Sequence, residues 1–199
     1  MALGTAYTQL GRQDDAMGAY VELRTKFGST AAAAEGTYQL ADLMLRSRRS
    51  DKEAQATTLF GEVFTQHPTS PWAPQALARK AALEERARTR VVDAQVGTSV
   101  PVALVTYRTL VENYPSAAEA EAALDRLAEF YDDVKRYELA AQALDTLVQR
   151  FPNSTRDAAW RAGEIYERRL KDAAKAQAAY AAVPVKSPRY NDAQKKLGR

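Results

Sequence analysis

A single histidine, His67, sits beside Pro68 in a chain of 199 residues that has no cysteine. Histidine acts as an acid or base only with a partner in hydrogen-bond reach, and nothing near His67 in sequence supplies one. Its place before a proline reads as a helix end, where a cation suits the helix dipole. Without cysteine there is no disulfide, no thiolate chemistry and no Cys-ligated zinc. Carboxylates stand side by side at Asp14-Asp15, Glu84-Glu85 and Asp132-Asp133. Adjacent residues on a helix point apart, so these pairs read as solvated faces and not as acid–base couples. No His-Glu-x-x-His, glycine-rich phosphate loop or nucleophile elbow occurs. Asn153-Ser154-Thr155 matches a glycosylation sequon, but it also reads as an ordinary turn and cap, which is the favoured reading. The expectation is therefore no catalytic residue, no metal site, no cofactor and no enzyme activity.

Composition narrows the class further. Hydrophobic residues make 46% of the chain and charged residues 27%, which places it among folded proteins and not disordered tails. The net charge of +3 is interspersed along the chain, whereas nucleic-acid binders concentrate their positive charge, so nucleic acid is not the expected main partner. No apolar run approaches a membrane span, and Met1 to Asp15 lacks the pattern of a signal peptide. Alanine occupies 39 positions while glycine and proline together occupy 17, a balance that favours helix.

The elements show themselves through a repeat. Ala, a large residue four later, Leu or Val three later, then Pro or Gly five later recurs five times. The sets are Ala16-Tyr20-Leu23-Gly28, Ala56-Phe60-Val63-Pro68, Ala103-Tyr107-Leu110-Pro115, Ala140-Leu144-Leu147-Pro152 and Ala176-Tyr180-Val183-Pro188. Roughly 0.1 match is expected by chance. Offsets of four and three put these residues on one helical face. The alanine admits a neighbouring helix, the large residue fills the space between helices, and Pro or Gly ends the helix. A second pattern precedes the sets: Leu3-Gly4 with Tyr7, Leu40-Ala41 with Met44, Leu127-Ala128 with Tyr131, and Ala162-Gly163 with Tyr166. In the third repeat Ala81-Ala82 is the best register. Tyr7, Tyr20, Phe60, Tyr107, Tyr131, Tyr166 and Tyr180 all fall on the pattern and read as core. Ser116-Ala117-Ala118-Glu119 reads as a capping box, and Ser70-Pro71 and Ser187-Pro188 as N-caps before a first-turn proline. Ser154 reads as a cap for the helix that follows.

The run Leu127-Ala128, Tyr131, Ala140, Leu144, Leu147, Pro152 resembles a complete tetratricopeptide repeat. The resemblance implies an all-α, right-handed superhelical solenoid of antiparallel helix hairpins, formed by one array over residues 1–199. Its repeats span about 1–28, 29–68, 69–115, 116–152 and 153–186, and a further helix begins in 187–199. It also implies a concave groove lined by first helices that binds other proteins or peptides. Groove residues implied in this way are Tyr38, Asp42 and Arg46; Arg126, Glu129 and Asp133; and Trp160, Glu164 and Arg168. They lack the Lys/Asn cluster with which chaperone-type members clamp a C-terminal carboxylate. Trp72 and Trp160 read first as packing between hairpins and second as groove anchors, since Trp is enriched at binding hot spots. The endings Asn113-Tyr114-Pro115-Ser116 and Arg150-Phe151-Pro152-Asn153-Ser154 resemble those of bacterial envelope members, such as the outer-membrane β-barrel assembly lipoprotein, the Tol–Pal coordinator and gliding-motility proteins. That resemblance implies a scaffold in a cell-envelope assembly, in the periplasm or envelope and not the cytoplasm. The alternatives are the docking or regulatory region of a larger enzyme and a nucleic-acid-binding helical repeat.

Two departures from the repeat period are expected to matter. Repeat two has about three extra residues around Arg48-Arg49-Ser50-Asp51. Repeat three has about ten, between Arg86 and Pro101. The second stretch is expected to lengthen a helix and then form a loop, with Ser99 or a neighbour capping the helix at Pro101. Arg79, Lys80, Arg86, Arg88 and Arg90 cluster there in sequence, among Glu84, Glu85 and Asp93. They read as a solvated helix with internal ion pairs, and Arg86, Arg88 and Arg90 as a candidate site for an acidic partner. Neither terminal repeat carries an evident polar cap, so the natural protein is expected to be longer, and self-association through the end repeats is a further expectation.

Overall fold

The structure, a computed structural model, describes residues 1–46 and 50–198 apart from the side chain of Ser50. The lengthening read at Arg48 and Arg49 lies outside the described residues. The chain forms two compact units, Met1–Thr89 and Arg90–Arg199, with a boundary inside the third sequence repeat. Both are built from antiparallel helices, each packed chiefly on its neighbours in sequence.

The first unit holds α1 (Ala2–Gln9), α2 (Gln13–Lys26), α3 (Ala31–Arg46), α4 (Ser50–Gln66) and α5 (Trp72–Ala87). Its core joins Ala16, Tyr20, Leu40, Ala41, Leu43, Ala56, Phe60 and Val63, all on the repeat pattern or one turn from it. The second unit opens with an antiparallel hairpin, β1 (Arg90–Asp93) and β2 (Thr98–Pro101), in which Val91 faces Val100. It continues with α6 (Val102–Asn113), α7 (Ala118–Asp133), α8 (Tyr137–Arg150), α9 (Ala158–Ile165), α10 (Ala173–Ala181) and α11 (Tyr190–Lys196). Ala103, Leu110, Ala140, Leu144 and Leu147 are fully buried in it.

In two hairpins the small residue of the first helix lies against the large residue of the second. A Cβ on Gly4 would come within 2.5 Å of the Tyr20 ring, and one on Gly163 within 2.5 Å of the Tyr180 ring. Glycine thus stands opposite tyrosine. In the hairpins whose second helix carries Phe60 or Leu144, the same pattern position of the first helix holds Ala41 or Ala128.

Several local expectations are corrected. The third first-helix register shifts by one, because Ala81 is buried and Ala82 is exposed. The pair is then Lys80-Ala81, with buried Glu84 at the large position. Lys80 lays its stem beside Gly61 and pairs with Glu84, so a charged couple replaces the usual apolar one. The insertion does not lengthen α5, which ends at Ala87 with Arg88 in the left-handed region. It forms the β-hairpin instead, and α6 starts after Pro101 with no side-chain cap. The Ser116 capping box does not form either, since α7 starts after Ala117 without a side-chain cap. Ser70 and Ser187 accept from the backbone N–H of Trp72 (3.2 Å) and Arg189 (3.0 Å) in the turns before α5 and α11, whose N-cap residues are Pro71 and Arg189 and carry no side-chain cap. Ser154 accepts from Arg156 N–H, in the turn before α9.

Candidate functional site

Helices α7 and α9 are the first helices of successive hairpins, and they form two walls of one cleft. Ala128, Glu129, Asp132 and Asp133 line one wall; Arg161, Glu164, Ile165, Arg168 and Arg169 line the other, around a volume of about 480 Å³. Four residues expected in the groove, Glu129, Asp133, Glu164 and Arg168, are thus brought together from two repeats. Each wall has an internal pair: Arg126 with Glu129, and Arg168 with Glu164 at 3.2 Å. Arg126 also lies 5.0 Å over the Phe130 ring. The carboxylates of Asp132 and Asp133 meet no cation among the described residues and point to solvent.

Arg161 of the cleft wall also belongs to a network that sequence reasoning missed. Asp125 on α7 is 8% exposed and takes Arg156 Nη1 at 2.6 Å and Arg161 Nη1 on its two carboxylate oxygens. Two guanidinium partners give this buried carboxylate charge-assisted hydrogen bonds on both oxygens. A signal for it was present. Counted from the small residues Ala41, Ala128 and Gly163, the first groove position lies three earlier: Tyr38, Asp125 and Trp160. Arg126 is one residue off that register.

Trp160 packs on Tyr180, ring centroids 5.1 Å apart, and Arg189 stacks over it at 5.7 Å. It is a half-buried packing residue at the hairpin's end. In the first unit Tyr38 is set between Phe60 (5.2 Å) and Trp72 (4.8 Å). Asp42 takes Arg46 at 2.9 Å and Arg79 at 3.6 Å. Arg79 also donates to the Tyr38 hydroxyl, which raises the guanidinium pKa. Trp72 and Arg79 therefore extend the α3 set onto α5.

The three arginines of the insertion have separate tasks. Arg86 pairs with Glu53 at 2.7 Å, Arg88 forms the left-handed cap of α5, and Arg90 donates to Ser99 Oγ and to Ser99 O. The hairpin itself is firmly held. Asp93 accepts both Arg108 nitrogens (3.1 and 2.5 Å) and the Val96 N–H (2.9 Å), Arg136 donates to Val96 O, and Val96 and Val100 are buried. The Arg108 hydrogen bonds hold the Asp93 carboxyl below the usual carboxylate range.

Helix α9 runs into a π-helical turn, Tyr166–Leu170. The Tyr166 hydroxyl donates to Asp145, and burial raises its pKa. Glu167 accepts from the Tyr180 hydroxyl and from Lys196 on α11, and its pKa falls chiefly through the lysine. A second cavity, of about 470 Å³, lies between the 151–158 turn and the 182–188 turn, which Ser187 ties together by donating to Asp157. Asn153 of the sequon lines it. Among the described residues no group of three or more His, Asp or Glu is placed to hold a metal ion, and no helix is long and apolar enough to cross a membrane.

With this geometry in view, residues 121–154 and 157–189 match the tetratricopeptide repeat family. The fold is a tetratricopeptide-type array of helical hairpins. It is similar to MamA residues 41-end from Desulfovibrio magneticus RS-1, at 16% identity over 99% of this chain and 92% of that one, with a TM-score of 0.53. A tetratricopeptide repeat protein from Parabacteroides merdae gives 16% identity and a TM-score of 0.57, over 98% of this chain and 64% of that one. YrrB, described as a TPR protein with an unusual peptide-binding site, gives 13% identity and a TM-score of 0.54, over 98% and 89%. At these identities the likeness is one of fold. No curated protein matches the chain in sequence.

Proposed function

We propose that the chain is a non-catalytic scaffold that binds other polypeptides, with the α7–α9 cleft as a contact surface. The observation that carries this reading is the convergence of Glu129, Asp133, Glu164 and Arg168, from two successive first helices, on one solvent-filled cleft. Its lining has charges of both signs and no nucleophile paired with a base, which suits recognition of a peptide and not turnover. The free carboxylates of Asp132 and Asp133 favour a segment rich in lysine or arginine. The same carboxylates disfavour nucleic acid.

Fluorescence anisotropy with labelled peptides of basic, neutral and acidic composition tests this. The basic set is expected to bind most tightly, and Asp132→Asn with Asp133→Asn to weaken it by about tenfold, the cost of roughly 1.4 kcal/mol in lost attraction. Equal affinity for all three sets would end this reading. We place the scaffold in a bacterial cell-envelope assembly, on the support of the Tyr114-Pro115 and Phe151-Pro152 repeat endings. Fractionation of cells expressing the natural reading frame tests the compartment, and recovery with the cytoplasmic fraction would exclude it.

A further inference from the structure

The two walls of the α7–α9 cleft are lined out of register with each other. On α7 the lining ends with the two residues that follow Tyr131, Asp132 and Asp133. On α9 and its π turn it ends with the second and third residues after Tyr166, Arg168 and Arg169. The first residue after Tyr166, Glu167, is not in the lining. It accepts instead from the Tyr180 hydroxyl (2.8 Å) and from Lys196 Nζ (2.6 Å). The π turn accounts for the shift, because it winds one more residue between the tyrosine and the left-handed cap. Without that residue the equivalents of Asp132 and Asp133 would be Glu167 and Arg168, one charge of each sign. With it the wall ends in two arginines.

The ion pairs show which of these charges are free. Arg161 joins the two walls, holding Asp125 and lying 3.9 Å from Glu129. Arg126 holds Glu129, and Glu164 holds Arg168 at 3.2 Å. Asp132 and Asp133 on one wall and Arg169 on the other are left without an ion-pair partner among the described residues. All three are exposed, and the Arg169 guanidinium lies over the Tyr137 ring at 5.2 Å. The cleft therefore offers free negative charge on its α7 side and free positive charge on its α9 side.

We infer, building on the reading of this cleft as a peptide site, that its ligand is an extended segment in which basic and acidic residues alternate. Successive side chains of an extended chain point to opposite sides. A segment lying between the walls sends every second residue to Asp132 and Asp133, and the residues between them to Arg169. Basic residues in the first set and acidic residues in the second meet opposite charge on both sides. A uniformly basic segment satisfies the α7 wall alone and sets like charge against Arg169.

Fluorescence anisotropy at low ionic strength tests this with two labelled peptides of equal length and composition. Lysine and glutamate alternate in one and stand in two separate blocks in the other. The alternating peptide is expected to bind about tenfold more tightly. Arg169→Glu should abolish that difference and tighten the binding of an all-lysine peptide. Arg169 is exposed, so this variant should keep its far-ultraviolet circular dichroism. Deleting Arg169 should act in the same direction, since it returns Glu167 to the lining. Equal affinity of the wild-type chain for the two peptides overturns the inference, as does a preference that survives Arg169→Glu. If basic peptides bind and the arrangement of charge makes no difference, this inference falls alone. If no charged peptide binds, the reading of the cleft as a peptide site falls with it.

Discussion

The second unit absorbs two insertions of very different size. Ala56 to Ala103 spans 47 residues where Ala103 to Ala140 spans 37, and the surplus becomes the β1–β2 hairpin. The other insertion is one residue. From Tyr131 to the left-handed Lys135 is four positions, and from Tyr166 to the left-handed Lys171 is five. Both turns keep the same closing bond, Arg136 N–H to Tyr131 O (2.7 Å) and Asp172 N–H to Tyr166 O (2.9 Å). In the first unit Tyr7, Gly11 and Arg12 repeat the four-residue version. The extra residue is therefore wound into the helix as a π turn, and the cap geometry is left untouched.

The difference is one of self-sufficiency. A hairpin of two four-residue strands is marginal alone in water, so the long insertion must make its own anchors: Asp93 with Arg108, Arg136 on Val96 O, and two buried valines. One residue cannot fold by itself and borrows the helix it interrupts.

The largest effect should come from breaking the long insertion's anchor. Asp93→Asn leaves the Arg108 guanidinium without its counter-charge and should cost about 3 kcal/mol, seen as an earlier denaturant midpoint. The Asp93 carboxyl has a lower pKa folded than unfolded. Its contribution is complete above the unfolded value near ~4 and is lost as pH falls through the folded one. Wild-type stability should therefore drop more steeply below about pH 4 than that of Asp93→Asn. Equal acid sensitivity would show that the hairpin is held by its valines alone.

Next in size is Gly163→Ala, just before the π turn. The new methyl would press on the Tyr180 ring and should cost about 1–3 kcal/mol by overpacking. A loss near zero would mean that the π turn lets the hairpin widen. The smallest effect is expected from deleting Arg169, which returns the Tyr-to-cap spacing to four. Thermal unfolding should shift by under about 1 kcal/mol, while amide exchange in α11 speeds up as Glu167 rotates away from Lys196. A loss as large as that of Gly163→Ala would show that the π turn is needed by the core.

The hairpin array could be read from the chain because its signals are local. Ala140, Leu144, Leu147 and Pro152 state a buried face and a helix end within thirteen residues, and each is buried or terminal as its spacing requires. Glu129, Asp133, Glu164 and Arg168 were also legible, since a fixed offset from Ala128 and Gly163 puts them on one side. Asp125 was not selected, because an acidic residue beside Arg126 looks solvated until Arg156 and Arg161 arrive from the next turn and helix. The β-hairpin was hidden for a similar reason. Val91, Val92 and Val100 give too short a pattern to distinguish strand from loop, and the residues that hold the strands are Arg108 and Arg136.

The sequence by itself determined which residues turn inward, where the helices stop, and that hairpins must stack, because those follow from the 3.6-residue period and from Pro and Gly. Only the tertiary structure decided which charges are paired, and which insertion becomes sheet and which becomes π turn. Those outcomes depend on contacts outside the repeat pattern, and an ion pair has no periodicity to announce it.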